Sequence, residues 1–195
     1  MSRISNLNRL LPLVAIGTVA DCQSILDQTN RMLVKSGLQI LQNKKHGIVG
    51  LNELMEQTGL NKKMTAGYKL NSQDLGFTLS PILNSSGRIS HARLSISTLI
   101  TTKGKSLVDE NQEYRDMSAE DLSGRLIATN QERKQVVKDV LHEVESEAKS
   151  QFDSGQKVLW LEGEWSKGIV GLLASRLVNE YNLPVVVVST IEGEK

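Results

Sequence analysis

Residues 118 to 152 carry the pattern that most limits how this chain can fold. Ser118-Ala119-Glu120-Asp121 places a polar residue three positions ahead of a carboxylate, a helix start of the capping-box kind. Beyond it Leu122, Leu126, Val137, Val140, Val144 and Ala148 form an interrupted apolar stripe. Arg133 and Lys134 sit among many acids, and Asp153-Ser154-Gly155 supplies a stop. At ~1.5 Å per residue such a helix is about 50 Å long, more than one small domain needs. It reads as a strut between two domains, with a solvated helix packed on its own domain as the plainer alternative. A chain of 195 residues can hold one large domain or two small ones.

After the strut, Lys157 to Leu161 reads as a strand. Ser166 to Tyr181 reads as a helix with Ile169, Val170, Leu172, Leu173 and Leu177 apolar. Pro184 to Ser189 is a second β-branched run. Strand, helix and strand make a βαβ unit with a parallel pair, the opening of an α/β domain. Two strands bury too little for an independent core, so a domain truncated at its C-terminus is expected.

Before the strut, the apolar run from Leu11 to Ala20 ends in small residues and one carboxylate, Asp21. The expectation is a buried strand of a parallel sheet that delivers Asp21 at its carboxyl end, where such sheets place ligands. Arg3 and Arg9, with Thr18-Val19-Ala20, also outline a secretory signal. The strand is preferred, preceded by a helix carrying Ile4, Leu7 and Leu10, because the rest of the chain is cytosolic in character. Asn30 to Leu41 and Gly50 to Thr58 have helical spacing, with Gly59 as a stop. Asn61 to Leu70 reads as a polar connection, and Asn71-Ser72-Gln73-Asp74 as a helix start ahead of Leu75, Phe77 and Leu79. Ser80 to Ala92 is dense in turn formers. A helix resumes through Leu94 to Ile100, and Thr101 to Met117 reads as a loop.

Composition removes several classes of function. A net charge of +1 gives no global basic field. The lone Cys22 cannot build a disulfide framework or a thiolate metal centre. Aromatic residues at 4% are too few for an extensive base-stacking platform. No apolar run approaches the ~20 residues of a membrane span. The motifs HExxH, GxSxG, CxxC and GxGxxG are absent. Asp109-Glu110 and the acids of the long helix read as solvated charge.

Three places could carry chemistry. Asp21 reads as a metal ligand, or as a cap or turn residue. In Asn84-Ser85-Ser86-Gly87-Arg88, the planar fork of Arg88 could grip phosphate, with Asn84, Ser85, Ser86 and Ser90 adding hydrogen-bond partners. The alternative is a loop whose arginine caps helix carbonyls, and His91 beside it reads as structural. In Glu162-Gly163-Glu164-Trp165-Ser166-Lys167-Gly168, a helix start and Lys167 could meet an anion. Otherwise this is a simple turn, with Ser166 as N-cap and Trp165 packed on the sheet.

These residues resemble a known family. Gly17-Thr18-Val19-Ala20-Asp21, Asn30-Arg31-Met32-Leu33-Val34 and Gly37-Leu38 look like the later part of a RecJ-type DHH phosphoesterase domain. Leu75-Gly76-Phe77 leading to Pro81-Ile82-Leu83-Asn84-Ser85-Ser86-Gly87-Arg88 resembles that family's Pro-x-Leu-Asn-Ala-Ala-Gly-Arg segment. Trp165-Ser166-Lys167-Gly168-Ile169-Val170-Gly171, with Ala174-Ser175-Arg176-Leu177, is similar to the opening of its DHHA1 domain. The implied fold is α/β. Residues 1–117 would be the C-terminal part of a DHH parallel-sheet domain, 118–152 a connecting helix, and 153–195 the start of a DHHA1 α/β domain.

The resemblance implies a cytoplasmic single-strand-specific exonuclease that works 5′ to 3′ with two divalent cations, Mn²⁺ or Mg²⁺, in DNA repair and recombination. Single-stranded DNA would be the substrate, single-strand-binding protein and a helicase would be further partners, and no membrane is involved. Asp21 corresponds to the family's last metal-binding, catalytic aspartate. Arg88, with Asn84 and Lys167, would lie along the nucleic-acid path, in a groove that the long helix makes between two lobes. The family's earlier aspartates and Asp-His-His motif would precede this chain, and its Gly-rich end would follow. Ser85 and Ser86 replace two alanines of the pattern, and Lys167 stands where many relatives have a histidine. The alternatives are a non-catalytic RecJ-related scaffold that binds DNA or replication proteins, and a DHH phosphoesterase for short oligonucleotides or cyclic dinucleotides.

Overall fold

The apolar run at the start is a helix, not the strand expected of it: α1 spans Leu11–Ala20, after a 3-10 turn at Asn8–Leu10. A run that is apolar on every side has no periodicity to separate the two states, and length then decides. Its 10 residues exceed an ordinary strand, and Pro12 lies in the first turn, where a missing N–H costs nothing. Small residues let a second helix approach. A Cβ on Gly37 would lie 2.5 Å from both Ala15 Cβ and Leu11 O, so α2 (Gln28–Gln42) packs against α1 almost backbone to backbone.

The computed structural model describes residues 7–44, 46–89, 91–101, 113, 114 and 116–191. Ile4, Ser90, Asp109, Glu110 and most of the loop expected from Thr101 to Met117 lie outside them. Leu7 and Leu10, expected on a helix ahead of the strand, are largely exposed around the 3-10 turn.

Two compact units emerge. The first comprises residues up to Ser86 together with Ala92–Ala128, and the second comprises Gly87–His91 together with residues from Thr129 onward. In the first unit, Asp27 opens α2 by accepting the N–H of Asn30 at 2.9 Å. α3 (Val49–Gln57) buries Leu51, Leu54 and Met55, and Gly59 ends it at φ 76°. The expected polar connection contains α4 (Leu60–Thr65). Leu60 and Met64, one turn apart, reach the core and carry the polar residues between them into a helix. A π-helical turn at Asp74–Leu79 buries Leu75 and Leu79 but leaves Phe77 83% exposed. α5 (Ser80–Leu83), α6 (Ser85–Ile89) and α7 (Arg93–Ile100) follow. Among the described residues this unit has no strand, so the parallel sheet expected of it is corrected to helical packing.

The long helix, α8, spans Ala119–Asp153. Asp121 N–H donates to Ser118 Oγ at 3.1 Å, while Ser118 donates back to Asp121 Oδ2 from N–H at 3.3 Å and from Oγ at 2.6 Å. Leu122 and Leu126 join the first core, and Val137, Val140, Val144 and Ala148 join the second. In the second unit β1 (Leu159–Gly163) pairs in parallel with β2 (Val185–Ser189), linked by α9 (Lys167–Tyr181), with Leu159 opposite Val185 and Leu161 opposite Val187. β1 begins two residues later than expected. Leu159 and Leu161 are the inward pair, and the Gln151 amide holds Trp160 by accepting its N–H at 2.8 Å and donating to its carbonyl at 2.6 Å.

Gly37→Ala is expected to lower unfolding free energy by about 1–3 kcal/mol through overpacking. Gly171→Ala, on α9 with nothing within 4 Å of its Cβ, is expected to raise it by about 0.5–1 kcal/mol. Denaturant melts of both variants check the pair, and equal effects would contradict the close α1–α2 approach.

His46 is fully buried just before α3. Its Nδ1 accepts the Ile48 N–H at 3.2 Å, which leaves the proton on Nε2. Nε2, Asn52 Oδ1 and Asn61 Oδ1 are buried with no hydrogen-bond partner among the described residues. Burial outweighs the nearby Asn52 amide and pushes the His46 pKa down. The unfolded chain therefore takes up a proton near pH 6.5 that the folded chain refuses. Stability from this site is complete above that pH and falls as pH drops below it, by at most about 1.4 kcal/mol per pH unit, until the folded pKa is passed. Urea melts between pH 5 and 8 should show this slope, and His46→Gln should flatten it.

Candidate nucleic-acid interface

Asp21 is set by the end of α1. Its backbone N–H closes the last turn on Gly17 O at 2.9 Å, and Gln23 Nε2 donates to its carbonyl at 3.3 Å. The side chain is exposed. Asp21 thus stands at a helix carboxyl end rather than a strand end, where the partial negative charge of the last carbonyls adds to its own and favours a cation. Among the described residues, no three His, Cys, Asp or Glu side chains gather to hold a metal ion. Magnesium takes six oxygen ligands in near-octahedral geometry, so one exposed carboxylate does not fit a two-metal centre by itself.

Asn84 is exposed at the end of α5, a short helix that packs on α1. The two serines beside it are not free for a ligand. Both are buried: Ser85 Oγ donates to Ile82 O at 2.6 Å, and Ser86 Oγ lies 2.7 Å from Ser95 Oγ. Their hydroxyls hold the turn into α6, which corrects the expectation that they serve as hydrogen-bond partners for phosphate.

Arg88 on α6 is half-buried, and its Nη1 donates to Gly168 O at 3.2 Å. A Cβ on Gly168 would overlap the Arg88 backbone, so only glycine permits this approach. Two segments 80 residues apart in sequence, the turn that carries Arg88 and the Trp165–Gly168 turn, meet here within the second unit. The Trp165–Gly168 turn follows the plainer reading: Ser166 Oγ accepts the Gly168 N–H at 3.3 Å as N-cap, and Trp165 is buried in the second core. Lys167 remains exposed at the first position of α9.

The structure adds cations that sequence reading left among acids. Arg133 on α8 is held by Asn130 Oδ1, which accepts from Nε at 3.2 Å and from Nη2 at 3.0 Å. Burial first, then the positive charges of Arg88 and Arg176, push the Arg133 pKa below the usual guanidinium value. Arg133 and Lys134 from α8, and Ser175 and Arg176 from α9, line a cavity of about 350 Å³ over Val137 and Leu172. The available signal was spacing, since Leu172, Ser175 and Arg176 share one face of α9. Placing that face beside Arg133 required the fold.

No family model matches the chain. Its relatives nevertheless agree. The single-stranded-DNA-specific exonuclease RecJ of Escherichia coli K12 is 33% identical over 187 residues, covering 94% of this chain and 29% of that protein. RecJ of Bacillus subtilis 168 is 29% identical over 188 residues, covering 96% of this chain and 21% of that protein. The chain is RecJ-like. The crystal structure of Thermus thermophilus RecJ with Mg²⁺ matches at a TM-score of 0.69 and 26% identity, over 93% of this chain and 25% of that one. A manganese-bound RecJ structure matches at 0.68 and 27% identity, over 93% of this chain and 40% of that one. The RecJ-like region thus spans between a fifth and a third of the curated relatives' length. The fold of these RecJ structures is shared, and the structures named here hold Mg²⁺ or Mn²⁺.

Proposed function

We propose that this chain is part of a metal-dependent exonuclease that hydrolyses single-stranded DNA from the 5′ end. The observation that carries the reading is the similarity of nearly the whole chain to RecJ in both sequence and fold. In this reading residues 1–117 are the later part of a DHH domain, 118–152 the connector and 153–195 the opening of a DHHA1 domain. The protein would act in the cytoplasm in DNA repair and recombination, with single-strand-binding protein and a helicase as partners. Among the described residues, no helix is long and apolar enough to cross a membrane.

Paired divalent ions in such enzymes activate water and stabilise charge on phosphorus. Asp21 would give one carboxylate to that centre, sharing it with acidic ligands beyond the described residues. Arg88 is suited to phosphate, because its guanidinium is planar, always charged and fixed at one end by Gly168. Asn84 and Lys167 are exposed polar and charged groups that a strand could reach.

The 195-residue chain is expected to bind a 5′-labelled single strand more tightly than the same sequence as duplex. It should leave both strands uncut with Mn²⁺ or Mg²⁺, and Asp21→Asn should change binding by less than about twofold, because one carboxylate adds little to a phosphate interface. Equal or tighter binding of duplex would overturn the single-strand reading. Shortening of the strand with Mn²⁺, abolished by Asp21→Asn, would show instead that the chain holds a complete metal centre.

A further inference from the structure

The cavity between α8 and α9 in the second unit carries charge that Asp21, Asn84, Arg88 and Lys167 do not account for. Arg133, Lys134 and Arg176 line it with Ser175, and the amide of Asn179 lies one helical turn beyond Ser175 on the same face of α9. No carboxylate lines it, and among the described residues none of the three cations has a carboxylate in salt-bridge range. Arg133 is pre-oriented rather than free to rotate, since two of its N–H groups are spent on Asn130 Oδ1 and the remaining donors are left for a ligand. Cations gathered in a concave site without counter-charge repel one another, and a phosphate relieves that repulsion while meeting fixed donors.

We propose that this cavity is a phosphate clasp, in which Arg133 and Arg176 hold a phosphodiester of a single-stranded nucleic acid while Lys134 adds charge and Ser175 and Asn179 add hydrogen bonds. The identity of the strand rests on the reading under Proposed function, whereas the phosphate chemistry rests on the cavity. The clasp fixes the position of the backbone and leaves base identity unread, which suits an enzyme that must move along any sequence.

The test compares the full 195-residue chain with the double variant Lys134→Ala/Arg176→Ala, both exposed residues, and with the charge-matched control Lys149→Ala/Lys157→Ala, which lies outside the cavity. Oligothymidylate binding is measured across a salt series, and inorganic pyrophosphate is followed by NMR at the arginine Nε–H signals. The clasp variant should bind the oligonucleotide about tenfold more weakly, with a log–log salt slope smaller by about one, and the control should change by less than about twofold. Pyrophosphate should move the Arg133 and Arg176 signals of the unmodified chain. An unchanged slope in the clasp variant, with the oligonucleotide still bound, overturns the clasp and leaves the single-strand reading intact. Equal losses in the clasp variant and the control also overturn it, because general charge is then enough. Pyrophosphate shifts without oligonucleotide binding support the clasp and overturn the single-strand reading. Failure of both ligands overturns both.

Discussion

The α8 helix is the constraint on which the rest of the structure depends. One uninterrupted run of 35 residues gives Leu122 and Leu126 to one core and Val137 to Ala148 to another. Neither unit has an apolar face complete without it. The second unit makes this plain: among the described residues its two-stranded sheet and α9 are too little to exclude water, and the α8 stripe supplies the missing wall. The interval from Asn130 to Arg133 contains no buried apolar side chain, and the helix uses it for a polar pair instead. Substitutions in the stripe should therefore damage the unit whose core they enter.

How much of this was legible in the sequence depended on whether the signal was periodic. α2, α3, α8 and α9 alternate apolar and polar residues at helical spacing, and their expected limits lie within a few residues of the observed ones. The parallel βαβ order of the second unit was also readable, because β-branched runs flank a helical pattern. The Leu11–Ala20 run failed as a signal because it has no polar face to set a period. Its length and Pro12 in the first turn fit a helix, and its packing rests on Gly37, which lets α2 approach Ala15 closely, a tertiary fact no window of local sequence contains. α4 was hidden differently, since Leu60 and Met64 are its only large apolar residues and two lysines and an asparagine stand between them.

The site shows the same division. Arg88 and Lys167 stand out by motif, yet the contact of Arg88 with Gly168 joins segments that lie 80 residues apart. Ser85 and Ser86 looked available by residue type, and burial assigns their hydroxyls to the backbone and to Ser95. In the sequence Arg133 and Lys134 simply sit among many acids. Helical geometry separates what sequence mixes: adjacent residues point about 100° apart, so charges that cancel in composition occupy different faces.

That separation bears on what the second unit is built to do. Opposite charges interspersed over a surface cost nothing and aid solubility, whereas three guanidiniums drawn to one place raise one another's energy. Arg133 carries that cost most, being half-buried and facing Arg88 and Arg176, yet Asn130 holds it there instead of letting it swing into water. A polar side chain spent on fixing a repelled cation makes no sense as packing, since Asn130 is itself 5% exposed and could have been replaced by an apolar residue of the α8 stripe. Local order that works against local energy is expected where a ligand completes the interaction. In this chain Arg133 lines the cavity between α8 and α9 beside Arg176, and there a polyanion would convert the repulsion into binding.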